Sequence, residues 1–241
     1  MIKSNMEVSL IDHMGSDSSV VRAARVSFAG DNKEFDELKD AKLIRYLAKH
    51  GHISPFHHTF ITVKVKAPIF VCRQLVKHKF MPWNEESRRY INSEPEFYIP
   101  TDYRKPAENV KQGSSDELVT NTRLTIGWQL DEDKNPIANS FEYLPETPES
   151  AIYWHCVNSL HLYNDLIESG VCNEQARMVL PQNMVVNYYW SGTLSAFADM
   201  LRLRLDGHTQ KESREVANMI RDLVEPLFPV SLPALLGEQN V

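Results

Sequence analysis

Between residues 60 and 82 the hydrophobic pattern changes its period once, and that change restricts the architectures open to the chain. Across 60–66 it alternates. Ile61, Val63 and Val65 fall on one side and Thr62, Lys64 and Lys66 on the other, the pattern of a half-buried strand. Ala67-Pro68 follows, and proline is tolerated in the first turn of a helix. Beyond it, Gln74 and His78 are four residues apart, as are Arg73 and Lys77. This spacing predicts a helix that carries an amide and three basic groups along two adjoining faces to a turn at Pro82.

Other segments extend the same alternation of strands and helices. Residues 6–11 read as a short edge strand. Residues 35–50 read as an amphipathic helix with Phe35, Leu38, Leu43, Ile44 and Leu47 on its apolar side, and Gly51 is placed to end it in the left-handed conformation. Thr147-Pro148-Glu149 is a helix start, after which Ile152, Cys156, Leu160, Tyr163 and Ile167 recur until Gly170. Residues 173–181 form a short helix stopped by Pro181, and 185–190 an aromatic-rich strand turned by Ser191-Gly192. Leu194, Phe197, Leu201 and Leu205 mark a further helix, with Arg204 and His208 one turn apart on another face. Val216, Ile220, Leu223 and Leu227 mark a final helix before Pro229. The fold class expected is α+β (mixed α/β), a central and mostly antiparallel sheet flanked by helices, in a single domain over 1–241. Residues 101–147 are the least informative, with a turn expected at 131–136 between two extended pieces. An insertion at about 104–146 could be a lid, a hairpin or a subunit contact.

The helix end expected near Pro82 is also the most basic place in the chain. Lys77-His78-Lys79 is followed, after seven intervening residues, by Ser87-Arg88-Arg89. A hydroxyl, arginine forks and turn N–H groups are suitable donors for a phosphate monoester. The whole chain carries a net charge of −6, which argues against a general nucleic-acid binder but suits a local basic pocket for a small anion. Hydrophobic residues make up 42% and charged residues 24%, ordinary values for a globular chain. No apolar run approaches the ~20 residues of a membrane helix, so no membrane partner is expected. Cys72, Cys156 and Cys172 form no Cys-x-x-Cys pair, which fits a reducing cytoplasm. Four histidines lie among residues 50–58, but no carboxylate or cysteine joins them at ligand spacing, so no metal is expected.

Several of these phrases together resemble the flavin-dependent thymidylate synthases. The family's Arg-His-Arg, seven residues, Ser reads here as Lys77-His78-Lys79 and Ser87. Gly51-His52-Ile53-Ser54-Pro55-Phe56, Ala23-Ala24-Arg25-Val26-Ser27 and Leu203-Arg204-Leu205-Asp206-Gly207-His208-Thr209-Gln210 match further phrases in the same order. The resemblance implies a homotetramer with active sites shared between subunits. It also implies transfer of a methylene from methylenetetrahydrofolate to dUMP, with FAD reduced by NADPH supplying the hydride. Gln74, Lys77, Glu85, Glu86, Ser87, Arg88, Arg89, Arg177 and Arg204 are then nucleotide contacts, Arg204 lying catalytically against the pyrimidine. Ser54, Lys77, His78, Lys79, Glu85, Thr193, Ser195, Asp199 and His208 are flavin contacts, and His52 lines the folate or nicotinamide pocket. Lysine supplies the charge of the replaced arginines without their bidentate fork. The cysteine-dependent class of thymidylate synthase uses a Pro-Cys-His phrase that is absent here, and Cys72 is expected to be an inert packing thiol.

Overall fold

The structure is a computed structural model that describes residues 2–29, 34–91, 93–108, 113–120, 124–130, 136–144 and 147–238. The elements begin with β1 (Ile2–Lys3), β2 (Glu7–Met14), α1 (Asp17–Arg25) and α2 (Glu37–Lys49). Next come β3 (Phe60–Pro68), α3 (Ile69–Leu75), β4 (Trp83–Glu85), β5 (Glu96–Phe97), β6 (Arg104–Pro106) and β7 (Ser114–Leu118). They are followed by β8 (Leu124–Leu130), β9 (Pro136–Leu144), α4 (Pro148–Glu168) and α5 (Asn173–Ala176). Last are β10 (Val185–Gly192), α6 (Leu194–Arg204), α7 (Lys211–Val224) and α8 (Ser231–Leu236). The chain divides into two compact units, residues 1–4 with 87–185, and residues 5–86 with 186–241.

The second unit is built on a four-stranded sheet in the order β2-β3-β10-β4. β2 lies at its edge, antiparallel to β3, and runs on to Met14, three residues beyond the expected strand end at 11. The alternation read in β3 is realised, with Ile61, Val63 and Val65 all fully buried. β10 pairs antiparallel with β4, setting Tyr188 opposite Glu85 and Trp190 opposite Trp83. α7 packs against β2 and β3, while α8 packs on α2 and α6. Gly51 closes the α2 end at φ +69°, as its position predicted. Three expectations need correction. α3 stops at Leu75, so Lys77, His78 and Lys79 lie in a turn and not on the helix. Ser191 and Gly192 continue β10 because Ser191 N–H donates to the Pro82 carbonyl at 3.0 Å and its hydroxyl meets that of Thr62 at 2.9 Å. The helix before Pro229 is not the last: α8 follows, its first N–H groups donating to the buried Asp17 carboxylate from Val230 (2.9 Å) and Ser231 (3.0 Å).

The first unit holds α4, α5 and three two-stranded pairings, β1 with β5, β6 with β7 and β8 with β9. Thr147 caps α4 by accepting from Ser150 N–H, and Gly170 follows its end at φ +87°. Cys156, on the apolar stripe of α4, is fully buried. β8 and β9 are the two extended pieces expected on either side of a turn; residues 131–135 of that turn lie outside the described residues. Among the described residues no helix is long and apolar enough to cross a membrane.

Candidate active site

In the second unit the site grows from the end of α3. A helix leaves its last carbonyls without intrahelical donors, and one of these is met from far along the chain. Arg204, the last residue of α6, donates to the Gln74 carbonyl at 2.8 Å and, through Nε, to His78 Nε2 at 2.9 Å. The two stretches singled out in the sequence, 74–79 and 203–210, therefore meet. Burial pulls the His78 pKa down to about 4, with the Arg204 charge acting in the same direction and Asp199 weakly opposing. Lys77 and Lys79, on either side of His78, are exposed and have no carboxylate partner among the described residues. The turn ends at Phe80, a left-handed residue (φ +60°) that is 92% exposed.

Around this corner the side chains are tied to one another. Gln74 donates through Nε2 to Gln210 Oε1 and accepts from the Ser213 hydroxyl at 3.1 Å; Gln210 in turn donates to the buried Glu212 at 2.9 Å. Trp83 stacks on Tyr188 with ring centroids 3.5 Å apart, and its indole N–H donates to Glu85 at 3.1 Å. Glu85 is exposed as a residue, yet the protein around its carboxyl raises its pKa through lost hydration. Glu86 is a fastening, accepting from Asn187 Nδ2 at 2.9 Å and from its backbone N–H at 3.3 Å. Cys72 is 3% exposed, its thiol directed to the Ala67 carbonyl at 3.6 Å, and burial pushes the thiol well above the usual range.

The remaining expected flavin contacts are spread over this unit. Thr193 caps α6 by accepting from Ala196 N–H at 3.3 Å and meets the buried Ser195 hydroxyl at 3.1 Å. Asp199 is exposed and paired with Arg202 at 3.1 Å. His208 lies in the turn after α6, 3.0 Å from Asp206, rather than one helical turn beyond Arg204. Ser54 opens the 3₁₀ turn Ser54–His58 and is exposed, as are His52, His57 and His58. Among the described residues no three His, Cys, Asp or Glu side chains converge as a metal site.

In the first unit, Ser87 and Arg89 face one another, the Ser87 hydroxyl accepting from Arg89 N–H (3.4 Å) and Nε (3.3 Å), while the Arg89 guanidinium lies 4.8 Å from the Tyr90 ring centre. Arg88 is buried and donates to the Ser93 carbonyl, a role in holding its loop. Arg177 is exposed in the 3₁₀ turn after α5 and donates to the Glu174 carbonyl at 3.4 Å. Sequence reasoning gave no roles to Gln210, Ser213 and Trp83. Gln210 was nevertheless visible as the last residue of the 203–210 phrase, and Trp83 as the aromatic beside Pro82.

The fold and this corner define a mixed α+β protein whose exposed lysines, without carboxylate partners among the described residues, and half-engaged arginine suit an anionic ligand. The family model described as thymidylate synthase complementing protein (Thy1) matches residues 9–230, and the chain belongs to that family. It is 38% identical over 230 residues to a flavin-dependent thymidylate synthase of Thermotoga neapolitana, covering 95% of this chain and 90% of that protein. A protein of the same description from Thermus thermophilus is 35% identical over 227 residues, covering 94% and 74% respectively. The crystal structure of a UMP/dUMP methylase, PolB, from Streptomyces cacaoi bound with 5-Br dUMP is similar with a TM-score of 0.77 and 29% identity, over 98% of this chain and 97% of that one.

Proposed function

We infer that the chain is a flavin-dependent thymidylate synthase, which methylates dUMP at C5 to give dTMP. The observation that carries this reading is the meeting of Arg204 with His78 and the end of α3, beside two lysines that lack carboxylate partners among the described residues. FAD is the cofactor these residues suit. Lys77 and Lys79 would hold its negative charge, and bound flavin would supply the hydride for the reductive step. Arg204 has five guanidinium N–H groups, of which two are engaged by protein acceptors, so donors remain for O2 or N3 of a uracil ring. Drawing charge onto those ring atoms prepares C5 for attack, an electrostatic effect of the oxyanion-hole kind.

We assign the phosphate monoester to Ser87, Arg89 and Arg177, and further nucleotide or flavin contacts to Gln74, Glu85 and His208, with His52 serving the folate or nicotinamide ring. Methylenetetrahydrofolate is the proposed carbon donor and NADPH the proposed reductant. Neither Cys72 nor Cys156 attacks the pyrimidine: both are buried, and burial raises both thiols. The single-domain reading, with residues 104–146 as an insertion, and a homotetramer with shared active sites belong to the same proposal. Three free cysteines suit a reducing compartment, and we place the enzyme in the cytoplasm.

The test is an absorbance spectrum of the purified protein with and without dUMP and NADPH, followed by turnover with methylenetetrahydrofolate and either dUMP or UMP. A flavin spectrum bleached by NADPH, dTMP formation, and loss of turnover with retained flavin in Arg204→Ala are expected. A protein unable to take up FAD would refute the assignment.

A further inference from the structure

A nitrogen of imidazole accepts a hydrogen bond only when it carries no proton. Arg204 has no acceptor on its side chain, so the 2.9 Å contact between its Nε and His78 Nε2 requires a neutral His78 with its proton on Nδ1. The second acceptor, the Gln74 carbonyl, is equally constrained. Gln74 is held by Gln210 and Ser213 at the start of α7, so the backbone it presents to Arg204 is braced from a third segment. Two acceptors on different atoms of one guanidinium fix its plane as well as its position.

We propose that His78 is a positioning residue for Arg204. Its neutral imidazole and the Gln74 carbonyl orient the guanidinium so that its remaining N–H groups meet the uracil ring. This rests on the functional reading above and, in place of the flavin contact expected of His78, adds to it a division of labour inside the basic triplet. Lys77 and Lys79 supply charge, whereas His78 supplies an acceptor and withholds charge. The surroundings agree with that division. His78 faces Arg204 and Asp199 from α6 and the Trp190 ring from β10, with centroids 6.3 Å apart, and is flanked by Lys77 and Lys79. Asp199 is engaged by Arg202, so it offsets only part of the repulsion between an imidazolium and Arg204. Protonation of His78 would remove the acceptor and place two cations in contact. The burial-lowered pKa, about 4, keeps that from happening near neutrality.

Two experiments decide the point, and the first needs neither flavin nor substrate. Long-range ¹⁵N spectra of the histidine-labelled protein should show His78 as the Nδ1–H tautomer, neutral down to pH ~5 and more basic in Arg204→Gln. An Nε2–H tautomer, or titration of His78 at the ordinary histidine value in wild type, would overturn the proposal. The second compares His78→Leu with His78→Gln, whose side-chain oxygen can replace Nε2 as acceptor. His78→Leu should lower kcat about tenfold or more while flavin affinity and KM for dUMP move less than about threefold, and His78→Gln should recover most of kcat. Equal kcat losses in the two folded variants, or loss of flavin from both, would overturn it. Should wild type prove unable to methylate dUMP, the functional reading fails, while the tautomer measurement still decides the clamp.

Discussion

Replacing Cys72 with alanine separates packing from chemistry at the cysteine that lies on the helix leading into the site. The side chain is 3% exposed, and its thiol makes a long bond of 3.6 Å to the Ala67 carbonyl. Losing one buried sulfur removes about a methylene's worth of burial, ~0.8 kcal/mol. The small cavity left behind raises the total cost to about 1–2 kcal/mol. Chemically the expected loss is nil. A nucleophile must be thiolate, and burial, reinforced by the nearby Glu85 carboxylate, drives the Cys72 equilibrium toward the thiol. Cys72→Ala should therefore show a lower urea midpoint, with kcat within about twofold of wild type. Iodoacetamide should label the exposed Cys172 of the native protein and leave Cys72 unmodified. A folded Cys72→Ala enzyme that binds flavin and dUMP but forms no dTMP would refute the reasoning and restore covalent attack on the pyrimidine.

Changing Lys77 and Lys79 together to arginine keeps the charge and adds the planar fork, so flavin should bind several-fold more tightly in a fluorescence titration; weaker binding would mean that the turn is shaped around lysine. Asp17→Ala removes two hydrogen bonds to a buried carboxylate and strands the Val230 and Ser231 N–H groups. At about 1.5–3 kcal/mol for each bond to a charged group, a loss of roughly 3–6 kcal/mol is expected on urea unfolding, and a change under ~1 kcal/mol would remove Asp17 as the anchor of α8. The His78 pKa also predicts how stability depends on pH. The unfolded imidazole takes up a proton near 6.5 and the folded one only near 4, so acid favours the unfolded chain. This contribution is complete above pH 6.5 and is lost as the pH falls toward 4; His78→Gln should flatten that part of the profile, and an unchanged slope would count against a neutral His78.

What the amino-acid order determined by itself is local. The alternation of Ile61, Val63 and Val65 became the buried face of β3, Thr147-Pro148 opened α4, and Gly51 and Gly170 took the positive φ that ends a helix. Each is settled within a few residues by backbone sterics and side-chain period. The basic triplet and the 203–210 phrase could likewise be read as halves of one site. Their partners could not. The four-residue spacing of Gln74 and His78 suggested a continuing helix, whereas α3 ends at Leu75 and the Gln74 carbonyl is taken up by Arg204, 130 positions later. Pro229 read as a terminus, but α8 forms beyond it because Asp17 caps it and Leu232 and Leu235 are buried. Only the tertiary structure decided these points: a buried polar group must find a partner, and which distant residue provides it depends on where the packed elements bring the chain.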